Sequence, residues 1–279
     1  MMPNKAGQGM ADQKKVQIKG LIRFSYLSEN GFAKSKQGVE KMRKMLYDPA
    51  RLERRFAWFE KLAFHTLTLQ DDTDFSVAIL IGDSFPDAYR TRLEKLVDGF
   101  APAQIVSLPP MTHVQAVKQA YFALPDDPDA THIATFRQDD DDGMHRSTIS
   151  RIRKVSRALL SARPVDAPFV IGFNRGFYLD TKADPMLTER FERTPLGIGL
   201  TLVARKGDHA TVFRRNHRQF TQYYDCYTEV AEPMFIRSVH QDNDSGAEPS
   251  GREGSLRPRG ILRVLRKGFG LTPEMLEGL

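Results

Sequence analysis

Cys226 is the only cysteine in a chain of 279 residues. An internal disulfide framework is therefore excluded, and a reducing compartment fits. Long apolar runs are missing as well. No stretch reaches the ~18 consecutive apolar residues that a membrane-spanning helix needs. The chain opens polar and basic, without an apolar signal region, so no secretory peptide is expected. Several catalytic signatures are also lacking. No glycine-rich dinucleotide fingerprint follows the first apolar stretch, and no G-x-x-x-x-G-K phosphate loop, H-E-x-x-H or G-x-S-x-G occurs. The commonest sequence signals of hydride transfer, ATP hydrolysis, zinc proteolysis and serine hydrolysis are thus gone.

What remains is a globular balance of 41% hydrophobic and 27% charged residues. That is enough chain for one large α/β domain or two small ones. The net charge of +6 and the pI near 9.4 suit an anionic partner, whether nucleotide, nucleic acid or acidic membrane. No nucleic-acid motif stands out and the basic residues form no long block, which places nucleic acid last among these.

Periodicity predicts an alternating order. Ile22–Leu27 reads as a strand, broken by Ser28-Glu29-Asn30-Gly31. Helices follow over Val39–Tyr47 and through Leu52, Phe56, Phe59 and Leu62, spaced four, three and three. Phe75–Ile81 is an apolar run suited to a strand covered on both faces. A helix opened by Pro86, a strand over Gln104–Leu108, a helix after Thr112 and a strand over His132–Phe136 continue the pattern. The expectation is an α/β fold, a mixed and mainly parallel sheet wrapped by helices. A helix over Met144–Ser161 comes next. Further strand pieces are expected at Phe169–Phe173 and Phe177–Leu179, a loop with a short helix over 181–195, and a hairpin from Gly199–Ala204 and Ala210–Phe213. Phe235–Val239 reads as a last short strand. The expected division is a flexible leader over 1–15, one domain over 16–243, a disordered linker over 244–260 and a basic amphipathic tail over 261–279. That tail could lie on an anionic membrane or dock on the domain.

The acidic run Asp139-Asp140-Asp141-Asp142 directly follows the strand ending at Phe136 and precedes a helix. Adjacent carboxylates repel, and a dication at a strand end would screen them. Oxygen ligands point to Mn2+ or Mg2+, with substrate phosphates filling the remaining positions. Ligands of α/β sheets bind beyond the carboxyl ends of the strands, where this run falls. Among Arg51, Arg54 and Arg55, one is expected to clamp a phosphate and the others to be solvated. His217 is expected at the surface. Asp180, Asp184, Asp225 and Glu229 are candidates for the base that a sugar transfer would need, with Asp225 preferred.

The blocks Phe24-Ser25-Tyr26-Leu27-Ser28 through Phe32, Tyr47-Asp48-Pro49-Ala50-Arg51-Leu52-Glu53-Arg54-Arg55-Phe56, Phe59-Glu60, Gln70, Asp83 with Pro86, Arg137-Gln138-Asp139-Asp140-Asp141-Asp142 and His240-Gln241-Asp242-Asn243 carry a resemblance. In this order and spacing the chain resembles a bacterial rhamnosyltransferase family within the GT-A-fold (Rossmann-like) glycosyltransferases, over about residues 16–245. The resemblance implies a single GT-A domain, a nucleotide-sugar donor such as dTDP-rhamnose, a glycan or glycolipid acceptor, and Mn2+ or Mg2+. Asp139 matches the first acid of the family's motif, near the donor ribose or the metal. Asp141 matches the metal-binding acid, Asp142 a supporting acid, and His240 a late histidine that completes the metal or diphosphate site. The expected donor contacts are Arg51, Arg55, Arg137 and Asp139; the expected metal ligands are Asp139, Asp141, Asp142 and His240. Gln138 departs from the apolar residue expected before the acids. A cytoplasmic enzyme of surface-polysaccharide synthesis follows, peripheral to the inner face of the membrane if the tail lies there. The alternatives are a metal-dependent phosphohydrolase or nucleotidyltransferase, and a non-catalytic basic protein that binds nucleic acid or membrane.

Overall fold

The computed structural model describes residues 14–29, 38–241, 243 and 248–279. The expected leader lies outside these residues except for Lys14 and Lys15. So do Asn30, Gly31 and Phe32, Asp242, and residues 244–247 of the expected linker.

Strands β1 (Val16–Arg23), β2 (Ser76–Gly82), β3 (Ala103–Leu108) and β4 (His132–Asp139) are separated by helices. These are α1 (Val39–Leu46), α2 (Pro49–Trp58), α3 (His65–Thr68), α4 (Asp87–Val97) and α5 (His113–Ala123), with α6 (Thr148–Ala162) after β4. A π-helical turn over Phe59–Phe64 joins α2 to α3, and the stripe Leu52, Phe56, Phe59 and Leu62 is buried along it. The remaining strands are β5 (Gly143–Met144), β6 (Phe169–Phe173), β7 (Arg175–Leu179), β8 (Leu187–Phe191), β9 (Leu200–Arg205), β10 (Asp225–Glu229), β11 (Phe235–Ser238) and β12 (Arg252–Glu253). Helices α7 (Pro258–Phe269) and α8 (Pro273–Leu276) follow.

The larger sheet has the order β10-β6-β9-β4-β1-β2-β3. Pairing is parallel from β4 through β1 and β2 to β3, and antiparallel where β9 enters between β4 and β6. This is the mixed, mainly parallel sheet flanked by helices that the alternation predicts. A second sheet, β12-β8-β7-β11-β5, stands beside it. The chain passes from one sheet to the other at Asn174, between β6 and β7. In the core, the rings of Phe56 and Phe59 each lie 4.8 Å from that of Phe24. Gly20 makes room for Phe136 across β1, because a Cβ there would fall 2.2 Å from that ring.

Several elements differ from expectation. The first strand runs Val16–Arg23 and ends where the expected one begins. Its apolar run is disguised by Lys19, which is buried, with its ammonium 2.5 Å from Asp126 and 3.2 Å from the Leu124 carbonyl. Strand β4 continues past Phe136 to Asp139, so the first acid belongs to the strand itself. Met144 lies in β5, and the helix after it starts at Thr148. The stretch 181–195 contains β8, whose inward Glu189 is paired with Arg175 and so breaks the apolar alternation. The expected hairpin does not form: β9 pairs with β4 and β6, while Val212 donates its amide to Thr135 Oγ1 at 2.9 Å.

The described part of the expected linker is ordered against the second sheet. Strand β12 pairs with β8, and the Leu256 amide donates to Glu189 at 2.8 Å. The tail helix α7 docks on the domain: Leu265 and Phe269 are buried with Trp58, Leu62 and Phe177. Its apolar stripe is therefore occupied and is not left for a bilayer. Among the described residues no helix is long and apolar enough to cross a membrane.

Candidate active site

A cavity of about 740 Å³ opens at the carboxyl ends of β1 and β4. Arg23 and Asp139, the last residues of these two strands, are direct register partners and both line it. The sequence builds the opposite wall from α2. Asp48 caps that helix by accepting the Arg51 amide at 2.9 Å, with Pro49 in its first turn. Arg51 and Arg55, four residues apart, then share a face toward the cavity, whereas Arg54 is exposed elsewhere on the helix.

Arg55 is the hub of the acidic run. It is buried; its Nε donates to Asp140 Oδ2 at 3.1 Å, its Nη2 to Asp140 Oδ1, and its Nη1 to Asp141 Oδ2 at 2.9 Å. Its fork is closed on carboxylates, which makes it their counter-ion and not a phosphate clamp. Asp141 Oδ2 also meets His240 Nε2 at 2.9 Å and Asn243 Nδ2 at 3.3 Å. Asp139 is flanked by Arg137 at 3.2 Å and Arg23 at 3.3 Å. Asp142 also lines the cavity, and its Oδ1 accepts the Ser238 amide at 2.9 Å. Gln138 is buried and donates to the Asp142 carbonyl at 2.7 Å, so the residue expected to be apolar pins the acidic turn instead.

These partners set the charges. Burial pushes the Asp139 carboxyl up, but Arg137 and Arg23 outweigh it and hold it below its usual range. Burial likewise opposes ionisation of Asp141, and Arg55 and His240 overcome it. Burial, with the Asp141 charge, drives Asp142 well above the carboxylate range. His217 lines the cavity, contrary to the surface position expected, and burial together with Arg137 lowers it to about 4. His113 touches Arg23 at 3.2 Å and is also lowered to about 4, by burial and then by Arg23 and Arg137.

Of the expected metal ligands, the structure brings Asp141 and His240 together and leaves Asp139 and Asp142 apart from them. Among the described residues, no three His, Cys, Asp or Glu side chains converge where an ion could sit. The Asp141 carboxylate still fits an ion that takes most positions from diphosphate oxygens and water, the usual economy of Mg2+ sites, whereas His240 Nε2 is spent on Asp141 Oδ2. The His240 ring is fixed from behind by Trp58, stacked at 4.8 Å.

The preferred base, Asp225, is misplaced. It begins β10 at the amino end of the strands, is exposed, and pairs with Arg163 at 2.7 Å. Asp180, Asp184 and Glu229 do not line the cavity either; Glu229 is buried against Arg151 at 3.0 Å. Outside the acidic run the described residues Glu192 and Glu248 line it, and of the two Glu248 is exposed while Glu192 is buried and held. Tyr178 donates to its Oε1 at 2.7 Å, and the Ser250 amide to its Oε2 at 3.0 Å. Glu192 follows β8, a strand that periodicity did not reveal, so nothing marked it in advance. Arg237, on β11, is a further lining residue that sequence reasoning passed over. Close packing shapes the wall as well: a Cβ on Gly197 would lie 2.7 Å from Arg137 Nε.

A polar, arginine-rich cavity beyond the carboxyl ends of a parallel sheet is the ligand site of an α/β enzyme domain. The family model described as "Putative rhamnosyl transferase" matches residues 17–252. The chain belongs to this family, which is one of glycosyltransferases. No curated protein matches it. Among solved structures, residues 1–349 of S. aureus TarS in complex with UDP-GlcNAc are 14% identical, with a TM-score of 0.44 over 90% of this chain and 64% of that one. The same fragment without UDP-GlcNAc is 12% identical, with a TM-score of 0.43 over 80% of this chain and 60% of that one. A further S. aureus TarS structure is 10% identical, with a TM-score of 0.43 over 81% of this chain and 37% of that one. This chain thus spans less than two thirds of the structures it matches.

Proposed function

We propose that this chain is a GT-A-type glycosyltransferase that moves a sugar, rhamnose by its family, from a nucleotide-diphosphate donor to a glycan or glycolipid hydroxyl. The observation that carries this reading is the meeting, in one cavity, of Asp141 with Arg23, Arg51, Arg137 and Arg237, with His240 bonded to Asp141 from outside the lining. Such a wall suits a diphosphate, whose charge grows as the sugar leaves. In this reading Asp141, joined by His240 once their mutual bond is released, would hold Mn2+ or Mg2+, which would supply Lewis-acid neutralisation of the leaving diphosphate. Asp139, held by two arginines, faces the donor ribose. Glu192 accepts the proton of the acceptor hydroxyl as its oxygen bonds to the anomeric carbon and the bond to the diphosphate oxygen breaks. Tyr178 and Ser250 keep that carboxylate aimed.

A thermal-shift panel of nucleotide sugars with and without Mn2+ tests the proposal. One donor, such as dTDP-rhamnose, should stabilise the protein only when metal is present, and Asp141→Ala should fold yet lose that response. Donor stabilisation that is unchanged in Asp141→Ala would refute the metal site. Release of phosphate or pyrophosphate without sugar transfer would refute the activity.

A further inference from the structure

The C-terminal helix has two faces, and the domain uses one. Leu265, Gly268 and Phe269 are buried against it, with Ile261 partly covered. At 100° per residue, Arg266, Arg259, Arg263 and Lys267 fall on the opposite arc with Leu262 at its edge beside the buried stripe, and all five are exposed. Residues 257–267 contain five basic side chains and no acid. Several arginines elsewhere are spent on neighbours: Arg92 on Glu53 and Glu60, Arg153 on Asp72, Arg163 on Asp225, Arg175 on Glu189. Arg259, Arg263, Arg266 and Lys267 form no ion pair among the described residues, although Glu274 lies near enough to Arg266 to feel its charge. Four cations with one protruding leucine, 45% exposed, on one straight side of a helix make a flat charged surface.

We infer that this outer face of α7 is a docking surface for an anionic lipid bilayer. A plane of phosphate headgroups complements a row of cations along one helix face, and Leu262, at the edge of that face, can enter the interface. Nucleic acid would fit less well, because no exposed aromatic ring on this face offers a base a stacking partner. The placement has a use. Helix α7 shares one buried cluster with Trp58, whose indole stacks on His240, so the helix and the site are joined through the same packed core. An acceptor carried on a lipid would be delivered there. That last step rests on the proposed transfer activity; the docking itself does not.

Vesicle co-sedimentation of the full chain tests the inference, with phosphatidylcholine alone or mixed with phosphatidylglycerol. The protein should bind the mixed vesicles, and binding should fall as salt rises. Each arginine removed in an R259A/R263A/R266A series should weaken partitioning roughly fivefold. The corresponding triple lysine variant should retain binding, since the charge is kept. Equal sedimentation with both vesicle types, equal binding by the triple alanine variant, or tighter binding to an RNA oligonucleotide than to mixed vesicles would each overturn the inference. Donor-induced stabilisation in the triple alanine variant should match the parent, so loss of docking and loss of sugar transfer are read separately.

Discussion

At Arg55 a single guanidinium spans two buried carboxylates, Asp140 and Asp141. Four acids in a row looked, on the sequence alone, as though only a dication could reconcile them. Most of that repulsion is answered by the chain's own cations: Arg55 for the middle pair, Arg23 and Arg137 for Asp139. Position in the chain said nothing of Arg55 or Arg23, which lie 85, 86 and 116 residues from the acids they meet; Arg137 alone is a sequence neighbour. Removing one partner of a buried pair strands the other, at about 3–5 kcal/mol. Arg55→Ala should therefore lower the unfolding free energy by about that amount in urea titration. Arg55→Lys should recover little, since a point ammonium cannot bridge both acids. A loss near zero would mean that the acids are solvated. The same distance blindness explains the base. Asp225 stood near the right place in sequence order but begins its strand at the wrong edge, whereas Glu192 sits in the cavity wall. Glu192→Gln, isosteric and uncharged, should cut transfer by at least about 10²-fold while leaving donor binding intact. Asp225→Asn should leave turnover unchanged, and a steady-state assay of the two variants decides between them.

The helices were legible because each shows one apolar stripe between clear stops, as in Asp87–Val97 and His113–Ala123. Strands in which a buried charge interrupts the apolar pattern were not. Lys19 hides β1 and Glu189 hides β8, each satisfied by a partner that periodicity cannot see. Strand β10 escaped because most of its side chains face solvent at the edge of the sheet. The C-terminal helix shows a further limit. Its amphipathic pattern was plain, but a stripe of leucines does not say whether lipid or protein will cover it. Phe269 supplies the answer and a test: it is fully buried and lies 5.4 Å from His145 and 6.2 Å from Phe177, ring to ring. Phe269→Ala should cost about 3–5 kcal/mol of global stability, the usual toll for emptying such a site. A tail hinged freely on the domain would give a change within about 0.5 kcal/mol in the same denaturant titration.

Charge acts on the molecule as a whole through its response to pH. The net charge of +6 rises further as histidines titrate, and three of them, His113, His145 and His217, resist. His113 is lowered to about 4, first by burial, then by Arg23 and Arg137, with Asp139 opposing. A depressed group binds its proton more readily in the unfolded chain, where an imidazole titrates near 6.5. Its contribution to stability is thus complete above pH 6.5, declines as pH falls through the window from 6.5 to 4, and is gone below it. At about 1.4 kcal/mol per pH unit the ceiling for His113 is roughly 3 kcal/mol. His113→Gln keeps an acceptor for Arg23 and removes the titration. The unfolding free energy of the parent should fall across this window by more than that of the variant, and the two curves should converge toward pH 4. Parallel curves from pH 7 to pH 4 would show that His113 is solvated and that the cleft beside Arg23 is wetter than its packing implies.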